Sequence, residues 1–299
     1  MKKNTKIILS LDGGGMKGYI TCVILAELEK KSQKKCSDIF DLIAGTSIGG
    51  IVAALLSCGV SATDALTFFT EDGPNIFKKT FFNTIGGVFG PKYSSSVIEK
   101  VLTDKFNGLF PKTYLLMTSY DLVTQTPHFF KFDTEKYPCQ LWQASRATSS
   151  AQIFFPGFKV NIAGTDYVFW DGGNVANNPA ICAYAECYNL WKSDPIILSI
   201  GTGIFKTKLN ADSMVNSGFI SNAITTVSSL FSAGSEEVDY QLEQFIGNNY
   251  IRIQPQLDSD LAMDGVSSDD LKKLSDFSNT YVQSKECQTI LNNFVKNYV

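Results

Sequence analysis

The sequence predicts an α/β fold, a three-layer sandwich with a mainly parallel, mixed central sheet flanked by helices, in one domain over residues 1–299. Three observations predict it. Short apolar runs alternate with segments of helical periodicity. Glycine-rich turns join run to helix at Asp12–Gly18 and Gly45–Gly50. Two hairpin-like pairs of runs interrupt the alternation and make the sheet mixed.

The elements follow in order. Lys6 to Leu11 reads as the first strand, and Gly18 to Lys31 as a helix with Ile20, Val23, Ile24 and Leu28 on one face. Ile39 to Ala44 is the second strand and Gly49 to Leu56 the next helix; Ser61 is placed to N-cap another. Pro74 to Tyr93 is loop-like and rich in aromatics (Phe77, Phe81, Phe82, Phe89), which either fold back into the core or form an apolar lip over a lipid site. Leu115–Tyr120 and Pro127–Phe132 form one strand pair; Phe158–Ile162 and Tyr167–Trp170 form another around Gly164-Thr165-Asp166. Leu141–Ala147 is helical, and Pro179–Trp191 is a helix with proline in its first turn. A buried strand, Ile196–Ile200, ends in Gly201-Thr202-Gly203. Helices are expected at Phe219–Phe231, Glu236–Phe245 and Phe277–Tyr298, with a late strand at Tyr250–Ile253. No repeat, low-complexity block or linker divides the chain.

Composition narrows the function classes. Of 299 residues, 44% are hydrophobic and 18% charged, which is globular rather than disordered. A net charge of -3 argues against a nucleic-acid polymer as partner and against strong electrostatic adhesion to anionic membranes. Ile7 to Leu11 is too short for a signal sequence, and no run approaches a bilayer span. Seven scattered cysteines lack metal-type spacing and read as free thiols of a reducing cytosol, so the expected location is cytoplasmic. No metal and no cofactor are expected.

The chemistry is concentrated in Gly45-Thr46-Ser47-Ile48-Gly49. A Gly-x-Ser-x-Gly between a strand and a helix reads as a nucleophile elbow, a turn so tight that glycine is needed on either side of the serine. Ser47 then needs a base. The single histidine, His128, precedes any late triad position and lies in a hairpin strand, where a structural or surface role suits it better. That leaves a carboxylate, and Asp171 in Trp170-Asp171-Gly172-Gly173, at the end of an aromatic strand, is the candidate. The loop Asp12-Gly13-Gly14-Gly15-Met16-Lys17-Gly18 joins strand to helix and can converge backbone amides on an oxyanion. Gly13-x-Gly15-x-x-Gly18 equally fits a dinucleotide fingerprint, but the second strand ends in Ala44-Gly45-Thr46-Ser47, without the acidic residue that holds a ribose. A dinucleotide-binding protein is therefore the alternative reading.

These three segments, in this order, resemble the patatin-like phospholipase family. Ala147-Thr148-Ser149-Ser150-Ala151-Gln152-Ile153-Phe154-Phe155-Pro156 is similar to a fourth family segment, with Gln152 where proline is common. The resemblance covers roughly residues 6 to 203. It implies a Ser47–Asp171 dyad, an oxyanion hole from the backbone of Gly13, Gly14 and Gly15, and calcium-independent hydrolysis of phospholipid or galactolipid acyl esters during peripheral membrane contact. Lys17 would orient the loop or meet a lipid headgroup, Ile48 would meet the substrate or the oxyanion, and Arg146 would either lie near the site or, as the better reading, serve as a surface or salt-bridging residue. The resemblance also admits a non-catalytic storage or scaffold protein, and an effector gated by a partner or a cyclic nucleotide.

Overall fold

The structure is a computed structural model that describes residues 5–78, 91–205 and 219–299, with side chains in the last stretch from 231 onward. Its strands are β1 (Ile7–Leu11), β2 (Leu42–Gly45), β3 (Tyr114–Asp121), β4 (Thr126–Phe132), β5 (Phe158–Ile162), β6 (Thr165–Asp171), β7 (Ile196–Ile200) and β8 (Tyr250–Ile253), all in one sheet. Its helices are α1 (Gly18–Ser32), α2 (Cys36–Ile39), α3 (Ile48–Ser57), α4 (Ala62–Ala65), α5 (Gly73–Ile76), α6 (Ser95–Phe106), α7 (Leu141–Thr148), α8 (Ala180–Trp191), α9 (Phe219–Ile246), α10 (Ser268–Val282) and α11 (Lys285–Tyr298).

Strands β3, β2, β1, β7 and β8 run parallel, while β4, β6 and β5 join antiparallel. The parallel strands read as nearly unbroken apolar runs because helices cover both faces. Ile8, Leu42, Ala44 and Ile197 point to the face packed by α8 and α9. Leu9, Leu11, Ile43, Leu198 and Ile200 alternate to the face packed by α1 and α3. Every residue of α3 is buried, which suits its lack of a polar face.

One topological detail positions the site. Strand β4 occupies one edge of β3 over Leu115–Asp121, so β2 and β6 must share the other. β2 runs parallel to β3 and ends with Gly45 opposite Met117; β6 runs antiparallel and ends with Asp171 opposite Ser119. Two strands thus approach head-on along one edge, and their C-terminal residues stop two β3 positions apart.

Several expectations differ from what is seen. Ile39 and Phe40 belong to a helical turn rather than a strand: the Phe40 amide bonds Cys36 O. Asp41 then locks the start of β1, accepting from Ile7 N at 2.9 Å and Lys6 Nζ at 2.7 Å. The two late helices are one, α9, which runs unbroken through Gly234: a single glycine inside a helix costs only about 1 kcal/mol, and Val238 and Leu242 are buried just beyond it. The terminal helix is instead two, α10 and α11, since Ser284 leaves the helix to cap the Cys287 amide at 3.2 Å. Pro179 is the N-cap of α8 rather than part of its first turn. Helix α6, with Ile98, Leu102 and Phe106 buried at four-residue spacing, is an element beyond those expected. Phe77 folds into the core against Tyr93 and Phe155, whereas Phe81, Phe82 and Phe89 of the proposed lip lie outside the described residues.

Candidate active site

The chain leaves β2 at Gly45 and enters α3 at Ile48, so two residues must reverse its path. Ser47 takes φ 56° and ψ -124°, a conformation that costs on the order of 1–3 kcal/mol and persists only where surrounding contacts enforce it. The contacts are identifiable. The Ser47 amide donates to Thr148 Oγ1 at 2.9 Å. Thr46 Oγ1 donates to Ala176 O at 2.6 Å and accepts from Thr118 Oγ1 at 2.7 Å. The flanking glycines are required by close backbone: a Cβ on Gly45 would lie 2.2 Å from Gly49 O, and one on Gly49 would lie 2.4 Å from Leu11 O. Ile48, as the first residue of α3, keeps an amide with no acceptor inside its helix.

Asp171 is 4% exposed. Its Oδ2 accepts the Ser47 hydroxyl at 2.8 Å, and its Oδ1 accepts the Gly173 amide at 2.7 Å. Its own amide donates to Ser150 O at 3.0 Å. Burial raises the carboxyl pKa from 3.8 to about 6, with the Gly173 and Ser47 hydrogen bonds and the Arg146 charge opposing the rise. Arg146 is fully buried, not at the surface; its guanidinium donates to Ser150 Oγ (2.7 Å) and Pro156 O (3.0 Å) and pairs with Glu99 (3.3 Å).

His128 lies on β4, opposite Ser119 across the edge of β3 that Asp171 does not use. That separation is two strand spacings, about 10 Å. The imidazole packs on Phe130, Phe169 and Tyr167 at centroid distances of 4.5, 5.0 and 5.5 Å, and burial holds its pKa below the ordinary value. The expected result for His128→Ala is a loss of packing stability with kcat/KM for ester hydrolysis unchanged. A collapse of turnover in the folded variant would return histidine to the reaction.

The glycine loop is tied on both sides. The Gly13 amide donates to Asn177 O at 3.1 Å, and Gly13 O accepts from Thr202 Oγ1 at 3.1 Å. Met16 N donates to Met263 O at 2.8 Å and Lys17 N to Gly14 O at 3.3 Å. Gly13 is therefore committed elsewhere, contrary to its expected place among the oxyanion donors. The amides of Gly14 and Gly15 are the loop donors left without an acceptor among the described residues. Gly15 has φ +60°, and a Cβ there would strike Met263 O at 2.2 Å. No carboxylate ends β2, so the ribose-holding element of a dinucleotide site is missing from it.

Ser47, Asp171, Gly14, Gly15 and Lys17 line a cavity of about 450 Å³ whose walls include Ile51, Phe68, Phe77, Phe155 and Leu261. Burial lowers the Lys17 pKa, with Asp260 opposing, and the ammonium has no ion-pair partner within 4 Å among the described residues. Among the described residues no group of three or more His, Cys, Asp or Glu is placed to hold a metal, and no helix is long and apolar enough to cross a membrane. Thr148, which shapes the elbow, lies in the Ala147–Pro156 segment that resembles the family, whereas Asn177 and Thr202, which shape the loop, carry no sequence signal of their own beyond proximity to the glycine motifs.

Comparison with known proteins finds relatives of this chain. The family described as patatin-like phospholipase matches residues 9–184. Patatin-like protein 2 of Arabidopsis thaliana is 31% identical, covering 89% of this chain and 79% of its own. A cGAMP-activated phospholipase of Pseudomonas aeruginosa is 30% identical over 86% of this chain and 80% of its own. The crystal structure of VipD from Legionella pneumophila superposes with a TM-score of 0.51 at 13% identity, covering 97% of this chain and 67% of VipD, a likeness of fold.

Proposed function

This chain belongs to the patatin-like phospholipase family and is a lipid acyl hydrolase; we propose that it cleaves fatty-acyl esters of membrane glycerolipids with Ser47 as nucleophile and Asp171 as base. The observation that carries this reading is the 2.8 Å hydrogen bond from Ser47 Oγ to a buried carboxylate, beside unpaired amides and an apolar cavity.

Ser47 Oγ attacks the ester carbonyl as its proton passes to Asp171 Oδ2. The carbonyl oxygen becomes an oxyanion that accepts from the amides of Gly14, Gly15 and Ile48; one such donor is worth about 3 kcal/mol of barrier. As the tetrahedral intermediate collapses, the alcohol portion leaves with the proton from Asp171. Water then donates a proton to Asp171 as it attacks the acyl-serine, and the fatty acid departs with Ser47 regenerated. The raised pKa suits Asp171 to this work, since a base nearer neutrality accepts the serine proton more readily than an ordinary carboxylate. The apolar walls hold the acyl chain, at about 0.8 kcal/mol per buried methylene. Lys17 supplies a positive charge for an anionic headgroup at a membrane surface.

The relative named for activation by cGAMP supports gating of this chain by a cyclic dinucleotide. The test is fatty-acid release from mixed phospholipid and galactolipid vesicles in the presence of a calcium chelator, with and without cyclic dinucleotide, followed from acid to neutral pH. Release is expected to proceed without calcium and to rise with pH through a midpoint near 6, because only ionised Asp171 accepts the proton. Release by a preparation equally active in acid, or by none of the conditions, would contradict the reading.

A further inference from the structure

The loop amides can serve an oxyanion only if β1 delivers them at a fixed angle, and β1 is gripped on the α8/α9 face of the sheet. Ser10, Ser199 and Arg252 stand side by side in register on β1, β7 and β8. Two small serines leave room for one long side chain to lie across them. Asp12, two residues beyond Ser10, emerges on the same face. Arg252 reaches it with both prongs, Nη1 to Oδ1 at 2.9 Å and Nη2 to Oδ2 at 2.7 Å, while Nη1 also donates to Ser199 Oγ at 2.8 Å. Asp12 and Arg252 are 2% and 11% exposed in their side chains.

A second carboxylate lies behind the guanidinium at ion-pair distance, without a hydrogen bond from its Nε. Arg252 Nε lies 3.3 Å from Asp239 Oδ1 on α9. That oxygen accepts hydrogen bonds from the Tyr250 hydroxyl at 2.5 Å and Asn178 Nδ2 at 3.1 Å. Asn178 adjoins Asn177, whose carbonyl holds the Gly13 amide. The same cluster therefore touches the loop twice, through the Asp12 carboxylate and through the Asn177 backbone, immediately before the free amides of Gly14 and Gly15.

We propose that Arg252 is a positioning residue for hydrolysis: by its two-pronged hold on Asp12, with the Asp239 charge behind it, it sets the register of the glycine loop against the oxyanion. A bidentate fork fixes direction as well as distance, whereas lysine in its place keeps the charge but offers a single point of contact. The proposal rests on the lipid acyl hydrolase reading and adds to it a residue from the last strand.

The test uses a soluble short-chain ester, so that membrane binding does not enter, and compares wild type with Arg252→Lys and with the paired change Asp12→Asn/Arg252→Gln, which removes both buried charges together. Both variants are expected to keep a cooperative thermal transition. In both, kcat falls about 10- to 100-fold with KM unchanged, the penalty of a misplaced catalytic group. The acid midpoint of the pH profile stays where it is, because Asp171 is untouched. Wild-type kcat in folded Arg252→Lys, or a rise in KM alone, would overturn the positioning role. Loss of the folded state in both variants would overturn it as well, by making the pair a structural support. No ester hydrolysis by the wild type, with or without cyclic dinucleotide, would defeat the functional reading itself and this proposal with it.

Discussion

Replacing Ser47 with alanine is expected to reduce ester hydrolysis to background, a loss of about 10⁴-fold or more, with the fold intact. The size follows from the mechanism. Without Oγ no acyl-enzyme forms, and only binding and the oxyanion amides remain to help water attack directly. The fold survives because alanine places the same Cβ at the same φ of 56° and changes neither the Thr148 contact nor the flanking glycines. What is lost structurally is one of the hydrogen bonds to the Asp171 carboxylate. Intact-protein thermal unfolding beside a vesicle assay separates the two effects. Substantial hydrolysis by folded Ser47→Ala would remove the serine from the chemistry.

Asp171→Asn is expected to lower turnover by about 10⁴-fold, the upper end of a general base's contribution, while raising stability at neutral pH. Asparagine can still accept from Gly173 and meet Ser47, but it cannot take the serine proton. The stability gain comes from linkage. The folded pKa of Asp171 stands at about 6, above the ordinary 3.8, so the folded protein holds this proton more tightly than the unfolded chain. Wild-type stability is therefore fullest below the ordinary value and declines as pH rises through that window. At neutral pH the buried charge costs about 3 kcal/mol, and asparagine is free of that cost. Unfolding of the two proteins at acid and at neutral pH measures it directly: similar stability in acid, and the asparagine protein more stable near neutrality. A wild type more stable than Asp171→Asn at neutral pH would mean the carboxylate is not held against its solvation, and the account of its basicity would fail. Such opposition of activity and stability is expected where burial tunes a reacting group.

Much of the site was legible because its requirements are local. A reversed strand-to-helix turn demands glycine where backbones touch, so Gly45 and Gly49 announce the elbow in the sequence itself. Asp171 was legible through a different signal, the scarcity of histidine in the whole chain, which left a carboxylate at a strand end as the base. The central parallel strands were readable for the same local reason: runs buried on both faces are apolar throughout.

What was not legible depends on partners distant in sequence. Gly13 looks like Gly14 and Gly15 until Asn177 O is seen to occupy its amide. Arg252 and Asp12 are 240 residues apart and meet only because β8 and β1 flank β7 in register. The direct approach of Ser47 to Asp171 depends on β2 and β6 meeting along one edge of β3, a matter of pairing that no local pattern records. Helix boundaries near the C-terminus failed for a subtler reason. Gly234 resembles a breaker but lies inside a long helix whose buried residues override its small cost, while Ser284 resembles a helix residue but caps the next one.

The central claim is that one serine hydroxyl, held by one buried carboxylate, carries the acyl group. Reaction with a fluorophosphonate, which traps an activated serine as a stable phosphonyl ester, followed by peptide mass spectrometry, tests it most directly. The account predicts a single adduct on the peptide bearing Ser47, absent from Ser47→Ala and formed far more slowly by Asp171→Asn. Stoichiometric labelling of another residue in a hydrolytically active preparation, or undiminished labelling of Ser47 after Asp171→Asn, would contradict it.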